Sequence, residues 1–99
     1  MNISVTDKAV NWFEKELMLE KGDAIRFFGK TYGNTEVHEG FSVGMSVDQP
    51  EDSVLGQTEV NGVTYFTNEH DHWFFSGYDL EVDYDEEKEE PIYHFHETE

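Results

Sequence analysis

Four of the five histidines fall in two His-x-His pairs, His70-x-His72 and His94-x-His96. Residues two apart on a β-strand share a face, so the two imidazoles of a pair can reach one metal ion. Neighbouring carboxylates would complete a nitrogen and oxygen site suited to iron, zinc or manganese. The alternative is that all four are surface histidines. The sequence alone leaves metal binding at either pair as an open hypothesis.

Other catalytic chemistry has little support. The chain has no cysteine, which excludes disulfides, thiolate nucleophiles and thiolate metal ligands. No serine lies in a Gly-x-Ser-x-Gly sequence, so no nucleophile elbow is predicted. The segment Gly29-Lys30-Thr31 lacks the upstream glycine spacing of a phosphate-binding P-loop. We therefore expect a protein that is not an enzyme, and we keep a small enzyme only as a third hypothesis because fold class does not exclude activity.

The segment KTYGNTEVHEGF, residues 30–41, has the composition of a loop and is centred on Asn34. Asparagine and glycine both tolerate positive φ angles, so Asn34 is expected to lie in a tight turn. In the alternative interpretation, Asn34 is a hydrogen-bonding residue that lines a pocket. Its neighbours in that pocket or loop would be Tyr32, Gly33, Thr35 and His38.

The net charge is -17, and it is concentrated in the second half of the chain. Residues 1–50 carry five basic and eight acidic side chains, whereas residues 51–99 carry only Lys88 against fifteen acids. Such a chain repels phosphate backbones and anionic membrane surfaces, so neither nucleic acid nor a membrane is an expected partner. Cations and basic protein surfaces suit it better. The acid-rich run at 79–90 is expected to be solvent-exposed.

The elements that must position these residues follow from hydrophobic spacing. Apolar residues recur at helical spacing in an N-terminal segment, and alternating residues predict strands in the rest of the chain. Asn61-Gly62 is the preferred pair for a type I′ hairpin turn. The segment EHDHWFF at 69–75 fits either a helical turn or the start of a strand. The predicted elements are a strand at 3–5, an amphipathic helix at 7–20, strands at 24–30 and 41–47, a loop at 50–56, hairpin arms around 61–62, and strands at 78–84 and 91–95.

One domain spanning residues 1–99 is expected from the length and from the absence of a linker. The first residues show no apolar signal-peptide core, and no apolar run is long enough to span a bilayer. A cytoplasmic protein is therefore expected.

The run AIRFFGKTYGNTEVHEGFSVGMS resembles the A-type iron–sulfur carrier family, also called HesB-like. Gly33-Asn34 matches the family's Gly-Cys pair, and Gly40-Phe41 matches its later Gly-Phe step. ISVTDKAVNWF resembles the opening strand and helix, and EPIYHF resembles the closing strand. The resemblance implies a mostly β (α+β) fold, a pseudobarrel of two small sheets with one N-terminal helix.

The departures from this family lie at its ligands. Members that carry clusters use one cysteine in the loop and two in a C-terminal Cys-x-Cys tail. Here the loop position holds Asn34 and the tail pair has no counterpart, so an iron–sulfur cluster is not expected. The chain is similar to the cysteine-lacking, YneR-like branch found in Gram-positive bacteria.

Two main hypotheses follow from the resemblance and the composition. The first is a non-enzymatic accessory or protein-binding module related to iron–sulfur cluster biogenesis carriers, with a basic protein partner. The alternative is a metal-binding protein that uses histidine and carboxylate ligands. The family's tendency to assemble also makes a homodimer an expectation.

Overall fold

A computed structural model describes residues 1–98 of the chain. Seven strands, one helix of ten residues and a short helical segment make up the described part. No helix within it combines the length and apolar character needed to cross a membrane. In chain order the elements are β1 (Ile3–Val5), α1 (Asp7–Glu16), β2 (Ala24–Lys30), β3 (Ser42–Val47), β4 (Val54–Val60), β5 (Val63–Asn68), a 3-10 turn (Glu69–Asp71), α2 (His72–Phe75), β6 (Tyr78–Asp85) and β7 (Glu90–Glu97).

The strands form two small sheets. The three-stranded sheet has the order β1-β6-β7, in which β1 is parallel to β6 and β7 is antiparallel to it. The four-stranded sheet has the order β3-β2-β5-β4, with β2 and β5 parallel and the outer pairs antiparallel. The expected mostly β fold of two sheets with an N-terminal helix is confirmed.

The core lies between the inner faces of the two sheets and is closed by α1 and α2. Strand alternation selects its members, because every second side chain of a strand points inward. Aromatic rings fill much of it; Phe27 and Tyr65 stack with their centroids 6.4 Å apart, and Phe13 meets both. The buried core residues are Ile3, Ala9, Val10, Phe13, Ile25, Phe27, Val43, Val63, Tyr65, Phe74, Phe75, Leu80, Val82 and Phe95.

A side-chain cap marks the start of α1, and the predicted hairpin turn at Asn61-Gly62 is confirmed by its backbone angles. Thr6 is the N-cap of α1, and its side-chain oxygen accepts a hydrogen bond from the N–H of Ala9 at 3.3 Å. Asn61 and Gly62 both have positive φ, 55° and 81°, as a type I′ turn between β4 and β5 requires. The cap and the turn both depend only on residues close in sequence, so the rest of the fold does not alter them.

The predicted helix at 7–20 is too long, since α1 ends at Glu16. Met18 adopts a left-handed φ of 51° and points into solvent. This turn lets Leu17 and Leu19 both pack against the core. Residues two apart on a helix project about 200° apart, so a continuing helix would bury only one of the two.

The β3–β4 connection, residues 48–53, joins opposite edges of the four-stranded sheet. It therefore has to cross the face of the sheet that points away from the core. Phe66 and Ala24 lie on that face, yet both are fully buried.

The predicted loop at 50–56 is too long, because β4 already begins at Val54.

Candidate functional site

Residues 31–41 form the loop between β2 and β3. Gly33 and Gly40 have φ angles of 87° and 86°, which disfavour any residue with a Cβ. The Oδ1 atom of Asn34 accepts a hydrogen bond from the N–H of Gly40 at 3.1 Å. Gly33 and Gly40 supply the positive φ angles of this loop, and the Asn34 side chain closes it.

Thr35 and His38 fold the tip of this loop and attach it to α2. The Thr35 hydroxyl oxygen accepts from the N–H groups of Val37 at 3.2 Å and His38 at 2.8 Å. The His38 Nε2 donates to the carbonyl oxygen of Phe74 at 2.7 Å, and its ring stacks on the Phe74 ring with centroids 4.6 Å apart. His38 therefore holds the loop against α2 through one ring nitrogen and one face of its ring.

Glu36 fixes the other side of the loop to β7. One carboxylate oxygen lies 2.9 Å from His94 Nδ1, and the other accepts the backbone N–H of Phe95 at 2.9 Å. The hydrogen bond with His94 lowers the pKa of Glu36, and the same bond raises the pKa of His94. We call these contacts the Glu36 clasp. They join the loop to the three-stranded sheet.

A cavity of about 440 Å³ lies between this loop, the β2–β3 ends and the start of β7. Its walls combine one amine, two carboxylates, an amide and hydroxyls around a short apolar surface. Burial raises the pKa of the Tyr93 phenol, so that hydroxyl stays protonated. Tyr32 lies outside, 68% exposed, with the Lys30 ammonium 5.0 Å from its ring centroid. The lining residues are Lys30, Asn34, Thr35, Glu36, Ser42, Val43, Glu90, Pro91, Ile92 and Tyr93.

His70 and His72 lie in the 3-10 turn and at the first residue of α2, so the strand geometry considered for them is wrong. His70 Nδ1 is 3.4 Å from a Glu51 carboxylate oxygen, and its Nε2 is 3.4 Å from an Arg26 nitrogen. The His72 side chain is exposed. Within residues 1–98 no group of three or more histidine, cysteine or acidic side chains is placed to hold a metal ion.

His94 and His96 do share the outer face of β7, as strand spacing predicts. Each is paired with its own carboxylate, since His96 Nε2 lies 3.0 Å from a Glu81 oxygen while His94 contacts Glu36. The two imidazoles thus contact two different carboxylates on the sheet surface and do not converge on one site.

The outer face of β6 is a row of carboxylates. Leu80 and Val82 point into the core, so the acids that alternate with them along the strand point outward. Asp83 accepts bonds from the Thr6 hydroxyl and the Tyr84 N–H, both at 2.8 Å, and the bond from the Tyr84 N–H is the main cause of its lowered pKa. The run predicted to be exposed at 79–90 is strand as far as Asp85 and turn after it, and Leu80 and Val82 within it are buried. We call the outward acids of β6 together with three acids of the following turn the acidic face: Asp79, Glu81, Asp83, Asp85, Glu86, Glu87 and Glu89.

Sequence reasoning missed Glu36, which attaches the loop to β7 through two hydrogen bonds. Its two partners lie 58 and 59 residues away, so no local spacing indicates the contact. A carboxylate in a loop together with a histidine in a late strand is too common a combination to have predicted it.

No family model matches the chain. It is 39% identical over 95 residues to a Bacillus subtilis protein named "Pyruvate dehydrogenase inhibitor", a match that covers 96% of this chain and 99% of that protein. The fold of the present chain is similar to that of Escherichia coli SufA, described as involved in biosynthesis of iron–sulfur clusters. The TM-score is 0.62 at 21% identity, and the match covers 97% of this chain and 80% of SufA. It is also similar to IscA with a [2Fe-2S] cluster, with a TM-score of 0.57, 14% identity, and coverage of 96% and 81%.

Proposed function

Because this chain belongs to the HesB-like family, in its cysteine-lacking YneR-like branch, we propose that it is a non-enzymatic protein-binding module that inhibits a bacterial pyruvate dehydrogenase. The observation that carries the proposal is the full-length similarity to the Bacillus protein bearing that name. Inhibition by binding requires a complementary surface and no catalytic group.

The donor set around the loop does not fit the iron–sulfur cluster that the fold family implies. Clusters are held by thiolates, and the chain contains no cysteine. Asn34 presents a neutral amide oxygen that is already used by the Gly40 N–H. This supports a role in which the fold is retained for its surface.

The acidic face is the surface we assign to the partner. Four of its acids lie on β6 and three lie in the turn that follows, and the carboxylates of Asp83 and Asp85 accept hydrogen bonds that hold them in place. A fixed row of negative charge attracts a basic protein patch and accelerates association at low salt. We therefore expect the target to present lysine and arginine side chains.

The test is an activity assay of the purified pyruvate dehydrogenase complex from the organism that produces this protein, titrated with this protein. We expect activity to fall as the protein is added, and the inhibition to weaken as salt rises, because charged surfaces are screened. Full enzyme activity at every protein concentration and at low salt would overturn the proposal.

A matched pair of variants locates the surface. Glu81→Gln combined with Glu87→Gln removes two charges from the acidic face and should weaken inhibition. Glu20→Gln combined with Glu59→Gln removes the same charge elsewhere and should leave inhibition unchanged. Equal loss in both double variants would show that net charge matters and that the acidic face does not.

A further inference from the structure

The cavity beside the 31–41 loop is separate from the acidic face, because none of the residues that line it belongs to that face. Its volume of about 440 Å³ lies within the range of about 300–1,000 Å³ that is typical of small-molecule sites. Its walls come from both sheets, since β2 and β3 belong to one and β7 to the other. Val43 and Tyr93 on these walls also pack in the core, which fixes the shape of the cavity.

Part of the cavity wall consists of hydrogen-bond donors that the chain itself does not use. The Asn34 side chain bonds through its oxygen, which accepts the Gly40 N–H, so both N–H bonds of its amide remain free. The Thr35 hydroxyl accepts two backbone N–H groups and donates to none of the described residues. Burial raises the pKa of Tyr93, so its hydroxyl stays a donor, and it has no hydrogen-bond partner within residues 1–98. Three unused donors that line one space suit a ligand with oxygen acceptors.

Lys30 adds a positive charge to these donors. Its ammonium lies 5.0 Å from the centroid of the exposed Tyr32 ring, and no carboxylate in the described part of the chain forms an ion pair with it. An unpaired ammonium beside neutral donors is complementary to a carboxylate group, which accepts charge-assisted hydrogen bonds. A ligand with several negative charges fits less well, because the net charge of -17 repels it.

The negative charge available in the cavity comes from Glu90. Glu36 lines the same space, but its two oxygens are already engaged by His94 Nδ1 and by the Phe95 N–H, both at 2.9 Å. Glu90 has no basic partner among the residues that the structure describes, and it is not paired with the cavity's own lysine. The cavity therefore offers one unpaired ammonium and one unpaired carboxylate. A ligand that carries both charges would satisfy both.

We propose that this cavity binds a free α-amino acid with an aliphatic side chain. The carboxylate of the ligand would contact Lys30 and the three neutral donors, and its ammonium would contact Glu90. Val43, Pro91 and Ile92 supply apolar surface for the side chain. An amino acid is a zwitterion without net charge, so the strongly negative chain does not repel it as it repels a simple carboxylate.

The first test is a titration of ¹⁵N-labelled wild type with L-alanine, L-valine and L-leucine, followed by NMR. We expect saturable shifts that are largest in the 31–41 loop and at the starts of β3 and β7. Two analogues of leucine then test the charges, because 4-methylpentanoate lacks its ammonium and 3-methylbutylamine lacks its carboxylate. Each analogue should bind at least about tenfold more weakly than leucine, since each loses one of two charge-assisted contacts.

The second test assigns each charge to its residue. Lys30→Met should weaken leucine binding about tenfold and leave 3-methylbutylamine binding unchanged, because that analogue has no carboxylate to lose a contact. Glu90→Gln should also weaken leucine binding about tenfold and should not weaken binding of 4-methylpentanoate. Lys15→Met and Glu20→Gln remove the same charges at exposed positions outside the cavity and should bind leucine like wild type.

Three results would overturn the proposal. The first is the absence of saturable shifts at the cavity with all three amino acids. The second is equal binding of leucine and 4-methylpentanoate to wild type, a comparison that needs no variant to fold. The third is equal leucine binding by the Lys30→Met and Lys15→Met variants. All of these measurements use the isolated protein, so their outcome is independent of whether it inhibits an enzyme.

Discussion

The ion pair within the Glu36 clasp, between Glu36 and His94, should contribute to stability only while Glu36 is ionised and His94 is protonated. Its two side chains are 51% and 30% exposed, so solvent screens much of their attraction. An exposed ion pair of this kind contributes about 0.5 kcal/mol. In a domain of this size that corresponds to about 2–4 °C in melting temperature. A double-mutant cycle with Glu36→Gln and His94→Gln isolates this pairwise contribution from other contacts of either residue.

The sign of the pH dependence follows from the two shifts. The pKa of His94 is raised above 6.5, so its contribution is complete below 6.5 and is lost as pH rises through the raised value. The pKa of Glu36 is lowered below 4.5, so its contribution is complete above 4.5 and is lost as pH falls through the lowered value. The coupling should therefore be greatest between pH 4.5 and 6.5.

The assay is thermal unfolding of wild type, both single variants and the double variant at about pH 6 and about pH 9. Comparing all four at one pH cancels the change in overall charge repulsion, which is large for a chain of net charge -17. We expect a coupling of about 0.5 kcal/mol at the lower pH and none at the higher pH. A coupling of equal size at both, or no coupling at the lower pH, would refute the ion-pair explanation.

Two further predictions concern buried contacts and are measured by urea denaturation. Arg26→Met should destabilise by about 3 kcal/mol, because Asp71, whose side chain is 6% exposed, would lose its partner at 2.7 Å; a loss below about 1 kcal/mol would contradict a buried pair. Gly29→Ala should destabilise by about 1–3 kcal/mol, since the new Cβ would lie 2.5 Å from the buried Phe74 ring. Gly44→Ala is the control and should be milder, because the ring it meets is partly exposed and can move; equal losses would refute this comparison.

Strands and turns that depend on adjacent residues could be predicted from the sequence. Strand β2 matches its predicted bounds of 24–30, and the Asn61-Gly62 turn has the expected angles. The end of α1 could not be predicted, because it depends on Leu17 and Leu19 both reaching a core built from later strands. That competition between helix periodicity and burial is settled only by tertiary packing.

The candidate site was partly visible in the sequence. The glycines at 33 and 40 and the asparagine between them indicated a constrained loop, and the structure shows the hydrogen bond that constrains it. The contacts of Glu36 with β7 join residues almost sixty positions apart, and spacing carries no information about them.

The loop keeps its shape through the chain's own hydrogen bonds, with Asn34 closing it, His38 attaching it to α2 and Glu36 attaching it to β7. Its geometry therefore does not depend on a bound cluster, and the fold can persist without thiolate ligands. What remains available for interaction is surface, and the acidic face on β6 and the turn after it is the surface that suits a basic partner.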